Sequence, residues 1–375
     1  MVDDAIYDNP PHFTTMVHYF QFLAAPFLLA SFSLVVIGSV PLVPRLIIDT
    51  DIGAGGCMDV DDVAAICMAH ALADAGEVDI LAIVQNTAPV QGSGVISALN
   101  YYYGRPNLPI GAYKGNDLDP DGPVLPYVAD IVSNFPSRVK NSTQVPSAIQ
   151  VYREVLASQA DSSVTISSIG LLTNLRDLLK SQPDACSSLD GKELVAKKVK
   201  RIAIMGGKYP ASGAAPECNL CGCYNGASSS DAATASAASA YVVANIPENV
   251  QVVFSGFEIG IKVQSGGVLS TCAPLSNPCR RAFRDYEHGD GSRFSWDPLN
   301  TLAAVRGFAG EASCNECVNC SGRNTVDALK GTNAWSHGRA TNQSYLVLND
   351  AVAAGKSIDE LLCRPPRNGT SPNDA

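Results

Sequence analysis

Five carboxylates, Asp49, Asp51, Asp59, Asp61 and Asp62, fall within 14 positions of this chain, directly after the apolar run Leu46-Ile-Ile and at the start of an apolar helical pattern. Charges at that density repel one another unless a cation or a set of amide donors holds them. The rest of the chain restricts where they can collect. Apolar, β-branched runs at 45–50, 79–85, 164–168, 199–205, 250–254 and 345–348 alternate with helical patterns at 60–75, 94–103, 147–159, 174–181, 230–244, 298–307 and 358–363. Strand and helix in repeated alternation imply an α/β chain with a mainly parallel sheet and helices on both faces. Sites in such folds gather at the carboxyl ends of strands, and the acidic turn lies at one.

A hard divalent ion answers the repulsion. Oxygen donors rank calcium or magnesium above zinc, and the absence of a phosphate-binding lysine motif favours calcium. Asp49 and Asp51 share a face if the strand continues, while Asp61 and Asp62 occupy the first turn of the next helix. The plainer alternative, a solvated acidic helix cap, needs only one or two carboxylates. A net charge of −10 disfavours a nucleic-acid polymer as partner and leaves a cation or a small neutral molecule. With 46% hydrophobic residues in 375, the chain can bury a large core, in one α/β domain or two smaller ones.

The uncharged stretch 17–44 is long enough for a secretion signal or a membrane span. Asp3, Asp4 and Asp8 make its flank acidic, opposite to a normal signal; a start at Met16 removes them, with cleavage near Gly38 and Ser39. A cleaved signal is the expectation, because an anchor would leave almost no linker before the strand at Arg45. Membrane contact follows only if the leader is retained, with the domain outside. Twelve cysteines favour disulfides and a secretory route, as do sequons at Asn141, Asn319, Asn342 and Asn368. The rival is zinc held by Cys218-x2-Cys221 with Cys314-x2-Cys317. The expected organisation is a leader at 1–44, one domain at 45–363 and a disordered tail at 364–375. Long loops at 104–126 and 209–230 are expected to shape a pocket mouth. Homo-oligomerisation stays open.

The segment Asp49-Thr-Asp51-Ile-Gly53…Asp61-Asp62 resembles the Asp-x-Asp-x-Gly…Asp-Asp signature of the inosine–uridine preferring nucleoside hydrolase family. Further pieces follow in the family's order: Asn86, Gly170-Leu-Leu-Thr-Asn174, Met205-Gly-Gly207, Glu217-Cys-Asn219, Ser255-Gly-Phe-Glu-Ile-Gly260 and Trp296-Asp297-Pro298. The resemblance spans roughly 45–307. It implies a Rossmann-like sheet and hydrolysis of the N-glycosidic bond of a ribonucleoside. It also implies that Asp51, Asp62, Asp297 and the Ile169 carbonyl hold Ca2+. Asp61 and Asn219 would grip the 2′- and 3′-hydroxyls, Glu217 the 5′-hydroxyl, and Asn86 would help hold the ribose. Asp49 would steer the carboxylates, and Asp51 would take a proton from the water that attacks C1′.

Two departures stand out. Ala54–Cys57 lengthen the metal loop by four residues, and Trp296 replaces the histidine that purine-tolerant members carry before the last metal aspartate. Trp cannot donate a catalytic proton, although its ring can stack on a base. His288 is the nearest alternative acid; His70 is expected to face out of or along its helix, and His337 to lie in a polar loop. A non-catalytic calcium-dependent ribose- or nucleoside-binding protein of the same fold is the competing expectation.

Overall fold

The computed structural model describes residues 43–210, 216–223, 227–307, 314–316, 322–338 and 341–367, all within Leu42–Ala375, the second of two units into which the chain divides. The expected leader, apart from its last two residues, and the tail beyond Arg367 lie outside the described residues. The strands are β1 (Arg45–Thr50), β2 (Asp79–Gln85), β3 (Ile110–Ala112), β4 (Val164–Ile169), β5 (Val199–Met205), β6 (Gln251–Ser255), β7 (Gln264–Ser265), β8 (Arg293–Phe294), β9 (Cys314–Glu316), β10 (Gly322–Val326), β11 (Asn333–His337) and β12 (Gln343–Leu348).

The main sheet runs β11-β10-β12-β6-β5-β4-β1-β2-β3, with β9 paired to β12. From β3 through to β12 every pairing is parallel. The pairings of β9, β10 and β11 are antiparallel. From β1 the chain builds outward through β2 and β3, then returns to lay β4 on the opposite side of β1. That reversal opens a crevice at the carboxyl ends of β1 and β4, the usual ligand position in an open parallel sheet. Thr50 and Ile169 face each other there in register.

Alternation along the strands splits the core between the two faces. Leu46 and Ile48 pack with helices Asp61–Asp74, Gly92–Tyr102 and Trp296–Arg306. Ile47, Ile166 and Ile204 pack with Ala148–Ser158, Thr173–Lys180 and Ser229–Asn245. The helix Asp61–Asp74 is buried from Asp61 to Leu72, so it has no polar face. This overturns the expectation for His70: it is fully buried, its Nε2 lies 2.9 Å from Asn100 Oδ1, and its ring stacks on Tyr103 at 4.8 Å.

Among the described residues four disulfides join Cys57 to Cys218, Cys67 to Cys279, Cys221 to Cys223 and Cys272 to Cys363, with Cα separations of 5.8, 6.6, 5.1 and 5.4 Å. Because Cys218 and Cys221 each have a sulfur partner, they are not a thiolate pair for zinc. Cys186 is exposed and free. The side chains of Cys314, Cys317 and Cys320, and the sequons at Asn319 and Asn368, lie outside the described residues. Asn342 spends its amide nitrogen on the Pro247 and Val250 carbonyls, at 3.2 and 2.8 Å, a poor setting for a glycan. Among the described residues no helix is long and apolar enough to cross a membrane.

Candidate functional site

The acidic turn emerges from β1 at the crevice. One oxygen from each of Asp59, Asp61, Asp62 and Asp297 lies within 4.8 Å of the others, and all four residues are buried. Three of them are held, each from a different direction, and the Asp297 carboxylate accepts no hydrogen bond among the described residues. Thr50 donates its hydroxyl to Asp62. Asp61 Oδ2 accepts the Trp296 and Asp297 amides at 2.9 and 3.0 Å and so caps the helix Trp296–Arg306. Asp59 meets the Arg293 guanidinium at 3.3 Å.

Asp51 stands slightly apart from these four. Its Oδ2 accepts the Cys57 amide at 2.5 Å, an amide supplied by the extra residues of the lengthened loop. Its Oδ1 is buried with no hydrogen-bond partner. Asp49 is more completely satisfied: Tyr152 donates at 2.7 Å, and Asn86 and Asn174 each at 3.0 Å. Asn86 thus spends its amide on Asp49, and its buried Oδ1 has no partner.

A cavity of about 100 Å³ opens beside the cluster. Its lining includes Asp61, Ile169, Glu217, Asn219, Trp296 and Asp297, so most of the expected residues converge; Asp49, Asp51, Asp62 and Asn86 do not line it. Glu217 caps the short helix Cys218–Cys221, accepting amides from Gly207, Asn219 and Leu220 at 2.8, 2.9 and 3.3 Å. Asn219 donates to the Met205 carbonyl at 3.2 Å. Trp296 stacks on Phe257 with ring centres 5.4 Å apart and donates its indole N–H to the Phe257 carbonyl at 2.9 Å. His288 is exposed and absent from the lining. His337 is exposed at the end of β11.

Sequence reasoning gave no role to Arg293 or to the Cys57–Cys218 bridge, and it counted Asp59 only among the charges. All three line this cavity. The excess of carboxylates was a signal that a cation must lie nearby, but charge balance alone does not single out an arginine in a later loop.

Burial dominates the electrostatics. It pushes Asp49, Asp51 and Glu217 up to about 7, against the hydrogen bonds they accept. Asp61, Asp62 and Asp297 are held well above the usual carboxylate range by burial and then by neighbouring carboxylates. Crowded, buried, hard oxygen donors with an unpartnered Asp51 oxygen suit a divalent cation.

Residues 46–223 match the model of the family described as Inosine-uridine preferring nucleoside hydrolase. The resemblance read from the acidic signature is thereby shown. No curated protein matches the chain in sequence. A plant nucleoside hydrolase structure aligns with a TM-score of 0.60 at 19% identity, covering 86% of this chain and 100% of its own. A purine-preferring ribonucleoside hydrolase from Gardnerella vaginalis aligns at 0.61 and 16%, covering 85% and 98%. The fold is the nucleoside hydrolase fold. It is shared by the type III effector protein XopQ, solved with adenosine diphosphate ribose, at a TM-score of 0.54 and 16% identity, covering 86% and 93%. In this nucleoside hydrolase fold the cavity occupies the reversal point between β1 and β4, where Thr50 and Ile169 lie side by side.

Proposed function

We propose that the chain is a calcium-dependent hydrolase of the N-glycosidic bond of ribonucleosides, releasing base and ribose. The observation that carries this reading is the meeting of two donor sets at one small cavity. Four buried carboxylates suited to a cation, Asp61 among them, border Glu217 and Asn219, side chains suited to sugar hydroxyls. Asp51, Asp62 and Asp297, with the Ile169 carbonyl, are the proposed ligands. Bound calcium would neutralise the carboxylates and raise the acidity of a water molecule.

The remaining chemistry belongs to the chain. Asp51 Oδ1, buried and unpartnered, is the acceptor for a proton from the water that attacks C1′. Asp61 and Asn219 orient the 2′- and 3′-hydroxyls and Glu217 the 5′-hydroxyl. The free Oδ1 of Asn86 is its remaining contact for the ribose. Asp49, fixed by three donors, holds Asn86 in place. Positive charge developing on the ribose ring is stabilised by the surrounding carboxylates.

A second reading, a non-catalytic calcium-dependent ribose- or nucleoside-binding protein, is favoured by one feature. The only N–H of the Trp296 side chain is already committed to Phe257, so nothing at that position protonates a leaving base. A panel of ribonucleosides, assayed for free base and for binding on the same sample with and without a calcium chelator, separates the two. Base release that stops on chelation supports the hydrolase; calcium-dependent binding without release supports the alternative. We also propose export through an oxidising compartment, supported by the four disulfides and the apolar leader. A retained leader would instead anchor the domain outside the membrane.

A further inference from the structure

Arg293 is the one cationic residue lining the cavity among the described residues, and its guanidinium is under-used. Of its five N–H donors one has a hydrogen-bond partner, Asp59 Oδ2 at 3.3 Å. Its Nε is buried without any. The group is nevertheless held in place. Its carbon lies 5.3, 5.7 and 5.4 Å from the ring centres of Tyr286, Phe294 and Trp296. Its backbone belongs to β8, which pairs with β7, and Ser295 is tied to the Gly260 and Val263 carbonyls at 3.3 and 3.0 Å. A fixed cation with idle donors, set beside aromatic faces, is a ready seat for a flat anion.

The cavity's geography says which anion. Asp61, Asn219 and Glu217 take the hydroxyl-bearing side of a ribose, so a base on C1′ is left the wall formed by Phe257, Trp296 and Arg293. On the hydrolase reading above, on which this inference rests, we propose that Arg293 stabilises the leaving base as an anion, in place of the proton that Trp296 cannot give. When the C1′–N bond breaks, its electron pair stays on the base nitrogen, and the guanidinium offers charge and N–H donors to the base. The water oxygen bonds to C1′ and its proton goes to Asp51. Afterwards the base anion takes a proton from solvent and Asp51 returns one, so a single water is consumed. A guanidinium does not titrate in the working range, so no acid of the enzyme has to stay protonated as pH rises.

The test compares two substrates on the calcium-loaded chain: inosine, whose base needs help to leave, and 4-nitrophenyl riboside, whose phenolate does not. Arg293→Ala should lower kcat/KM for inosine by roughly 10²–10³-fold. It should lower that for the nitrophenyl riboside less than about 5-fold, because the departing phenolate needs little of the leaving-group stabilisation that the substitution removes. Calcium affinity by calorimetry should stay within about 3-fold, because Arg293 meets the cluster only at its edge. Arg293→Lys should retain part of the inosine activity, and added guanidinium should restore part of it to Arg293→Ala. If Arg293→Ala fails to fold, Arg293→Gln, which keeps length without charge, makes the same comparison. Equal losses on both substrates, with or without loss of calcium, overturn the proposal, as does an unaffected inosine rate. Failure of the parent chain to cleave either substrate refutes the hydrolase reading itself, a result distinct from any effect at Arg293.

Discussion

Asp297→Asn should stabilise the protein without calcium and destabilise it with calcium. In the metal-free chain, two charges no more than 4.8 Å apart repel by about 3.5 kcal/mol or more at an effective dielectric constant of 20. Protonation caps the penalty: keeping a proton on an ordinary carboxyl at pH 7 costs about 4 kcal/mol. Replacing Asp297 by a neutral isostere therefore relieves roughly 1–4 kcal/mol of strain. Little is lost in exchange, since among the described residues no hydrogen bond reaches its carboxylate; its amide alone is used, by Asp61. Asp61 would be a poorer choice, because its carboxylate caps a helix. With calcium at a thousandfold excess over its dissociation constant the parent gains about 4.1 kcal/mol, a gain that matches or exceeds the relief and that the variant forfeits. Thermal melts should therefore cross: with a chelator the variant melts a few degrees higher, with calcium a few degrees lower. Parallel melting curves, with the variant lower by the same amount in both conditions, would refute a cation-compensated cluster.

Two other outcomes follow from buried groups. Cys57 supplies the amide that holds Asp51, and Cys218 sits between Glu217 and Asn219. Cys57→Ser with Cys218→Ser should accordingly raise KM for a cleaved nucleoside about tenfold or more. It should also cost roughly 2–4 kcal/mol of stability, and a stability loss with unchanged KM would make the bridge purely structural. His70 gives the pH dependence. Burial lowers its pKa from 6.5 to about 3, so the folded state keeps it neutral while the unfolded chain protonates it. The stability it contributes is complete above about pH 6.5 and is lost as pH falls towards 3, by about 2 kcal/mol between pH 7 and 5. Denaturant melts of the parent and of His70→Asn should diverge by that amount over this interval; equal slopes would contradict a neutral buried imidazole.

Most of the parallel sheet was legible because its strands are continuous apolar runs; the three-residue edge strand β3 was not, and it lies inside the stretch 104–126 expected to be a loop. Strands β1, β2 and β5 match the expected bounds, and β4 extends the expected run by one residue to Ile169. The helix ending at Leu362 was read only from 358, because its first turns, Ala351-Val-Ala-Ala-Gly, carry no apolar period; it starts at Ala351, capped by Asp350. Helices Pro126–Asn134, Gly191–Lys198 and Pro278–Tyr286 were missed for related reasons. They are short, and two are rich in charge that masks the face they bury. Strands β10 and β11 pair antiparallel at the sheet margin, with alternating burial too brief to stand out.

The acidic turn was legible for a stronger reason. Five carboxylates after an apolar strand require compensation wherever they fold, whereas partners such as Arg293 and Cys218 are brought in by the chain's return across the sheet. What holds Asp51, Asp61 and Asp62 comes partly from the turn's own segment and partly from the start of a helix more than two hundred residues on. The amides of Trp296 and Asp297 reach Asp61, the Cys57 amide reaches Asp51, and the Thr50 hydroxyl reaches Asp62. Among the described residues Arg293 alone brings a full positive charge to the cluster, and it reaches only Asp59, at the edge. The interior of the cluster is thus left with dipoles against at least three buried carboxyls. Dipoles orient carboxylates but do not neutralise them. Either protons or a cation must do that, and the choice decides whether Asp51 is an ionised base or a neutral acid. Activity and cation binding should therefore rise together across a calcium titration at fixed pH.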